Sequence, residues 1–133
     1  MPEKKTILII DDSALILSTL QDALAAGGYE VMTAANGKEG LSRIQERTPD
    51  VILMDVVMPI MDGWETCRRV RMAASLQSVP IIIMTQKNTP QDLLRAFEVG
   101  ADEFLEKPID RERLFQTMDL LMKRRLEGSV GAR

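Results

Sequence analysis

The chain has 133 residues, 45% of them hydrophobic and 28% charged, a balance that suits one folded domain and excludes a disordered chain or a long charged tail. With 17 Lys and Arg against 20 Asp and Glu, the formal charge is −3, so the cation surplus that a nucleic-acid coat needs is missing. One cysteine, Cys67, and no histidine exclude a disulfide framework, a Cys/His zinc site and any triad that needs imidazole.

The first apolar run, Ile7–Ile10 within the strand candidate Thr6–Ile10, stops at Asp11 and Asp12. It is too short for a signal-peptide core, and no later run is long enough to cross a bilayer, so a cytoplasmic protein without membrane association is expected. Ser13 then offers an N-cap to a helix whose inward face carries Leu17, Leu20 and Leu24, and Gly27-Gly28 end it. Tyr29–Ala34 reads as a weaker strand, and Gly37–Arg47 as a second helix with Leu41 and Ile44 inward. Val51–Met54 is the third strand, followed by a helix from Asp62 to about Ala74. Val79–Met84 is the fourth strand, and the fourth helix takes Thr89 as N-cap, Pro90 in its first turn and Gly100 just past its end. Leu93, Leu94 and Phe97 are expected to be its core contacts. Asp102–Leu105 is the last strand, and Asp110 caps a fifth helix that turns Leu114, Met118 and Leu121 inward and ends near Leu126.

The strands are short and rich in β-branched residues, without in/out alternation, as strands buried on both faces are. Five βα units predict a doubly wound α/β domain with a parallel sheet and right-handed crossovers that place helices on both faces. The expected domain fills residues 1–133, with a core of about 5–126 and a short flexible tail at 127–133 that leaves no room for an output domain.

In a parallel sheet the C-terminal strand ends share one edge, and four of the five apolar runs end in residues with chemical potential. The first run ends at Asp11 and Asp12, the third at Asp55, the fourth at Thr85, and the fifth at Glu106 and Lys107. A single Asp after a strand is ordinarily a helix cap or a turn residue, but Ser13 already caps the first helix, and the set as a whole exceeds what capping explains. Three carboxylates at about 5 Å repel by roughly 3 kcal/mol per pair at an effective dielectric near 20, which calls for a cation or a retained proton. Oxygen donors alone favour Mg²⁺ over Zn²⁺. Lys107 adds a point charge and Thr85 a hydroxyl for phosphate oxygens, so the combination suggests phosphoryl transfer at an aspartate.

Asp11-Asp12 after Ile7–Ile10, the segment Met54–Gly63 that contains Asp55 and Pro59, Met84-Thr85, and Lys107-Pro108 together resemble the receiver domain of two-component response regulators. The resemblance covers about Lys5 to Leu126. It implies a flavodoxin-like fold with strand order 2-1-3-4-5. It implies Asp55 as phosphoacceptor, Asp12 as direct Mg²⁺ ligand, Asp11 as the acid that holds the ion through water, and the Val57 carbonyl as a further ligand. It also implies Thr85 and Lys107 on the phosphoryl group, Thr85 and Phe104 as switch residues, and a cis Lys107-Pro108 peptide. The implied donor is a histidine kinase or a histidine phosphotransfer protein. Phosphorylation would draw in Thr85, let Phe104 turn inward and reshape the face of helix four, strand five and helix five, where a downstream protein target or a second copy on activation would dock. The domain would accept its own phosphoryl group and turn over no separate substrate.

Three positions depart from the family's pattern: Gln86 where a small residue is usual, Ile60 where Gly is common, and an apolar Val57 beside the acceptor. Ile60 implies a different turn or backbone strain, and Val57 with Gln86 is expected to lengthen the life of the phosphorylated form. The main alternative is an aspartate-nucleophile phosphatase, which places nucleophile and acid two apart after the first strand, whereas Asp11 and Asp12 are adjacent here. A flavin carrier would meet repulsion from the same two acids, and a pseudo-receiver would need a broken acid site. Cys67 and Trp64 are read as packed residues, and the Lys123-Arg124-Arg125 cluster as a response to a helix C-terminus.

Overall fold

The computed structural model describes residues 4–86 and 89–131, with side chains described as far as Leu126. Five parallel strands alternate with helices in the order β1 (Thr6–Ile10), α1 (Ala14–Ala26), β2 (Glu30–Ala34), α2 (Gly37–Glu46), β3 (Val51–Asp55), α3 (Gly63–Met72), β4 (Ile81–Thr85), α4 (Pro90–Glu98), β5 (Glu103–Glu106) and α5 (Arg111–Gly131). The sheet order is β2-β1-β3-β4-β5, the order expected from the resemblance. β1 therefore sits between β2 and β3, with Ile10 opposite both Ala34 and Met54, and the chain reverses its direction of winding between β1 and β3.

Every residue of β1, β3 and β4 is buried. Successive side chains point to opposite faces, so the single run Ile7–Ile10 supplies both layers of the core. Leu8 and Ile10 pack with Ile52, Met54, Ile81 and Ile83 beneath α2, α3 and α4, where Ile44, Cys67, Val70 and Ala96 cover them. Ile7 and Ile9 pack with Leu53, Ile82 and Met84 beneath α1 and α5, where Leu20, Leu24, Leu114 and Met118 close the layer.

Local signals set the helix starts. Ser13, Asp62 and Thr89 each accept a backbone N–H three residues on, at 3.3, 2.9 and 3.1 Å. Asn36 caps α2 in the same way at 2.8 Å. Gly28 and Gly100, just beyond α1 and α4, hold φ of +94° and +99°, where a Cβ would be strained.

Boundaries move in a consistent way. Asp55, Thr85 and Glu106 are the last residues of their strands, not residues beyond them, because each pairs in register with a neighbouring strand or continues the ladder. α3 stops at Met72, short of Ala74, and a turn of 3₁₀ helix follows at Ala74–Leu76. α5 runs to Gly131, five residues past the expected end near Leu126, so the proposed tail begins inside a helix; Ala132 and Arg133 lie outside the described residues.

The largest correction concerns α4. Leu93, Leu94 and Phe97 are 38%, 61% and 48% exposed, so they are not core contacts. Ala96 alone is buried among the α4 residues. Trp64 is buried as expected, and the Arg95 guanidinium lies 5.0 Å from its ring centroid, joining α3 to α4. Arg71, for which the sequence reading offered no role, donates to the carbonyls of Gly100, Leu76 and Val79, each at 2.8 Å, and to Asp102 at 2.7 Å. It ties the end of α3 to the entries of β4 and β5.

Candidate functional site

At the C-terminal edge of the sheet, chain separation collapses. Asp11 leaves β1 with its N–H bonded to the Ala34 carbonyl at the end of β2 at 3.0 Å, which holds it at the strand edge. Its carboxylate is fully buried; Oδ1 accepts the Ser13 N–H at 2.9 Å and Oδ2 accepts from Lys107 Nζ at 2.7 Å. Asp11 thus does perform a local turn role, which the sequence reading assigned to Ser13 alone. Asp12 is exposed at the rim. Asp55 ends β3, nearly buried at 8% exposure, and its Oδ1 accepts the Val56 N–H at 2.8 Å and lies 3.4 Å from Lys107 Nζ. Lys107 is positioned by its own N–H, which donates to the Thr85 carbonyl at 2.7 Å, and it precedes a cis peptide to Pro108.

One carboxylate oxygen each from Asp11, Asp12 and Asp55 lies within 4.8 Å of the other two. Such a cluster of hard oxygen donors with no His or Cys fits Mg²⁺, whose octahedral shell takes a few carboxylates and leaves room for water and phosphate oxygens. Burial and the adjacent Asp11 carboxylate push the Asp55 carboxyl above its ordinary range, while Lys107 and the Val56 N–H pull it back only in part. The site therefore concentrates more negative charge than its one ammonium balances.

The remaining expected residues fall unevenly. Thr85 is buried at the end of β4, opposite Glu106 in the ladder and beside the Lys107 backbone. Val57 is 72% exposed, its side chain turned to solvent beside the acids. Gln86 is exposed and borders a cavity of about 580 Å³ with Leu15, Ile16, Lys107 and Ile109. Leu15 went unnoticed in the sequence; its signal was an apolar residue outside the inward stripe of Leu17, Leu20 and Leu24. Phe104 is 7% exposed and already part of the core layer under α4, so the expected inward turn is not needed in this conformation. Ile60 holds φ of +71°, so the strained alternative applies. Gly63 is a residue whose role the sequence reading missed. A Cβ there would stand 2.3 Å from the Asp55 carbonyl oxygen, so only glycine lets α3 start against the acceptor strand. The Asp-Gly pair at the head of a helix was the available signal.

The comparisons agree with this geometry. The response regulator receiver domain family matches residues 7–119. Protein PilH of Pseudomonas aeruginosa is 35% identical over 116 residues, covering 87% of this chain and 96% of that protein. The transcriptional regulatory protein AfsQ1 of Streptomyces coelicolor is 36% identical over 119 residues, but the match covers only 52% of its length; this chain spans about half of several curated relatives. Among solved structures, the chemotaxis protein CheY4 of Vibrio cholerae superposes with a TM-score of 0.86 at 36% identity, covering 90% of this chain and 99% of that one. A CheY-like receiver domain protein from Methanospirillum hungatei gives 0.87 at 26% identity, covering 94% and 98%. These matches favour the receiver reading over the phosphatase alternative. The chain belongs to the response regulator receiver domain family, the Mg²⁺-binding phosphoacceptor modules of two-component signalling, which work between histidine kinases and downstream targets.

Proposed function

We propose that Asp55 is the phosphoacceptor and that Lys107 and Thr85 complete the reacting site. The observation that carries this is the convergence of Asp55, Asp11 and Lys107 on contacts of 2.7 and 3.4 Å across nearly a hundred positions of chain. A histidine kinase or phosphotransfer protein presents a phosphohistidine at the strand edge. The Asp55 oxygen not held by the Val56 N–H attacks phosphorus in line, the P–N bond breaks, and the imidazole leaves with its electron pair. The Lys107 ammonium, already between Asp11 and Asp55, pairs with a phosphoryl oxygen as charge moves onto it. The Thr85 hydroxyl lies on the neighbouring strand end, in reach of the same group after a local shift. Asp12, Asp11, Asp55 and the Val57 carbonyl would hold Mg²⁺, which neutralises phosphoryl oxygens when bound. Hydrolysis of the acyl phosphate returns Asp55 to the carboxylate.

Thr85 and Phe104 form the switch. Because Phe104 already stands inward, phosphorylation holds an arrangement the chain can adopt without it, and the response is a shift of population. The output face is α4, β5 and α5, toward a downstream protein or a second copy. The chain acts as one receiver domain with its core in residues 5–126, in the cytoplasm, accepting a phosphoryl group instead of turning over a separate substrate. Among the described residues no helix is long and apolar enough to cross a membrane, which is consistent with that location.

The test is Mg²⁺-dependent labelling with acetyl phosphate and peptide mapping of the adduct. Label on Asp55, lost in Asp55→Asn, supports the assignment; label retained in Asp55→Asn, or steady turnover of a small phosphate ester, defeats it.

A further inference from the structure

At the edge of the sheet opposite the acids, a cavity of about 490 Å³ lies between the start of β1, the entry to β3 and the later turns of α5. Lys5, Lys123 and Arg125 line it together with Asp50 and Asp119, and Met122 and Leu126 give it an apolar wall. Both carboxylates are held by neutral donors: Asp50 accepts the Thr6 N–H at 2.7 Å, and Asp119 accepts the Tyr29 hydroxyl at 3.1 Å. No ion pair or side-chain hydrogen bond among the described residues engages Lys5, Lys123 or Arg125, so three cations face one cavity with their donors unspent. A helix C-terminus does not account for the Lys123-Arg124-Arg125 cluster, because α5 runs on to Gly131 and the macrodipole acts only within the last turn.

We propose that this cavity binds a purine nucleoside di- or triphosphate, at a site separate from the phosphoacceptor edge and independent of that reading. Three cations on one lining match a chain of two or three phosphates through charge-assisted hydrogen bonds. Asp50 and Asp119 each keep lone pairs for the amino group of a base, since a carboxylate accepts more bonds than the one each now makes. Met122 and Leu126 supply apolar contact for the ring, and the volume suits a ligand of that size. A bare polyphosphate would meet the cations but leave the carboxylates and the apolar wall unused. A nucleic-acid strand would carry its phosphates past Asp50 and Asp119, on a chain whose net charge is −3.

The test is isothermal titration calorimetry of the full chain with ATP, GTP and tripolyphosphate, in EDTA so that no nucleotide is held through Mg²⁺ at the acids. ATP or GTP should bind at one site, at least about tenfold more tightly than tripolyphosphate. Lys123→Ala with Arg125→Ala should weaken that binding by about tenfold or more, whereas the equal charge change Lys38→Ala with Arg113→Ala, on α2 and the first turn of α5, should alter it less than about twofold. Leu126→Ser should weaken the nucleotide and leave tripolyphosphate unchanged. No binding of either nucleotide, or tripolyphosphate binding as tightly as both, would overturn the proposal. So would equal losses in the two double variants, which would reduce the binding to bulk charge, or a short single-stranded RNA that binds more tightly than either nucleotide.

Discussion

Asp55→Asn should make the protein more stable, although it removes the residue on which the chemistry depends. The Asp11 and Asp55 oxygens lie within 4.8 Å, a repulsion of about 3.5 kcal/mol at an effective dielectric near 20. The Lys107 ammonium at 3.4 Å from Asp55 returns about 5 kcal/mol on the same scale. These terms nearly cancel. The exposed Asp12 adds a smaller repulsion, and the loss of hydration at a carboxylate only 8% exposed tips the balance against the charged form. The raised Asp55 carboxyl expresses that balance: the folded chain keeps a proton that the unfolded chain releases. Stability from this group is therefore full below the ordinary carboxylate value and falls as pH rises toward the raised one. Asp55→Asn removes the charge that burial and the Asp11 carboxylate disfavour, so it should raise Tm by a few degrees in EDTA. Saturating Mg²⁺, at about a hundred times its Kd, should stabilise the wild type by about 2.7 kcal/mol and the variant by less, narrowing or reversing the gap. Differential scanning calorimetry at neutral pH and near pH 4, with and without Mg²⁺, reads all of this. An Asp55→Asn protein that melts below the wild type in EDTA, or an identical Mg²⁺ response in both, would refute the electrostatic reasoning.

Four further substitutions test other parts of the structure. Gly63→Ala places a methyl 2.3 Å from the Asp55 carbonyl oxygen and 2.8 Å from the Val56 Cα, both backbone; urea melts should show a loss of about 2 kcal/mol or more, with reduced acetyl phosphate labelling. Ile60→Gly relieves a φ of +71° at a residue 76% exposed and should gain about 1 kcal/mol by the same melts. Arg71→Ala strips donors from three carbonyls and from Asp102, and should cost about 2–4 kcal/mol, with Arg71→Lys recovering less than half. Val57→Asn puts a polar group beside the acceptor and should speed decay of the phosphorylated protein severalfold; equal decay rates would remove Val57 from the control of lifetime.

Much was legible from local rules. Thr6–Ile10 could be recognised as a strand covered on both faces because nothing after Thr6 is polar and no in/out alternation breaks it, and Ser13, Asp62 and Thr89 announced their helices because a short side-chain oxygen there satisfies an otherwise orphaned N–H. The gathering of Asp11, Asp55, Thr85 and Lys107 at one edge followed from parallel strands, whose ends must coincide. Tertiary structure decided what no local rule contains. Leu93, Leu94 and Phe97 follow a helical apolar spacing, but α4 turns Ala96 to the core and leaves the three larger side chains in solvent. Phe104 is inward, packed in the layer that also holds Ala96, Ala101 and Ile83. Arg71 and Gly63 matter through carbonyls and backbone brought from other elements. Spacing along a helix records which residues share a face; only the packed neighbours determine what that face meets.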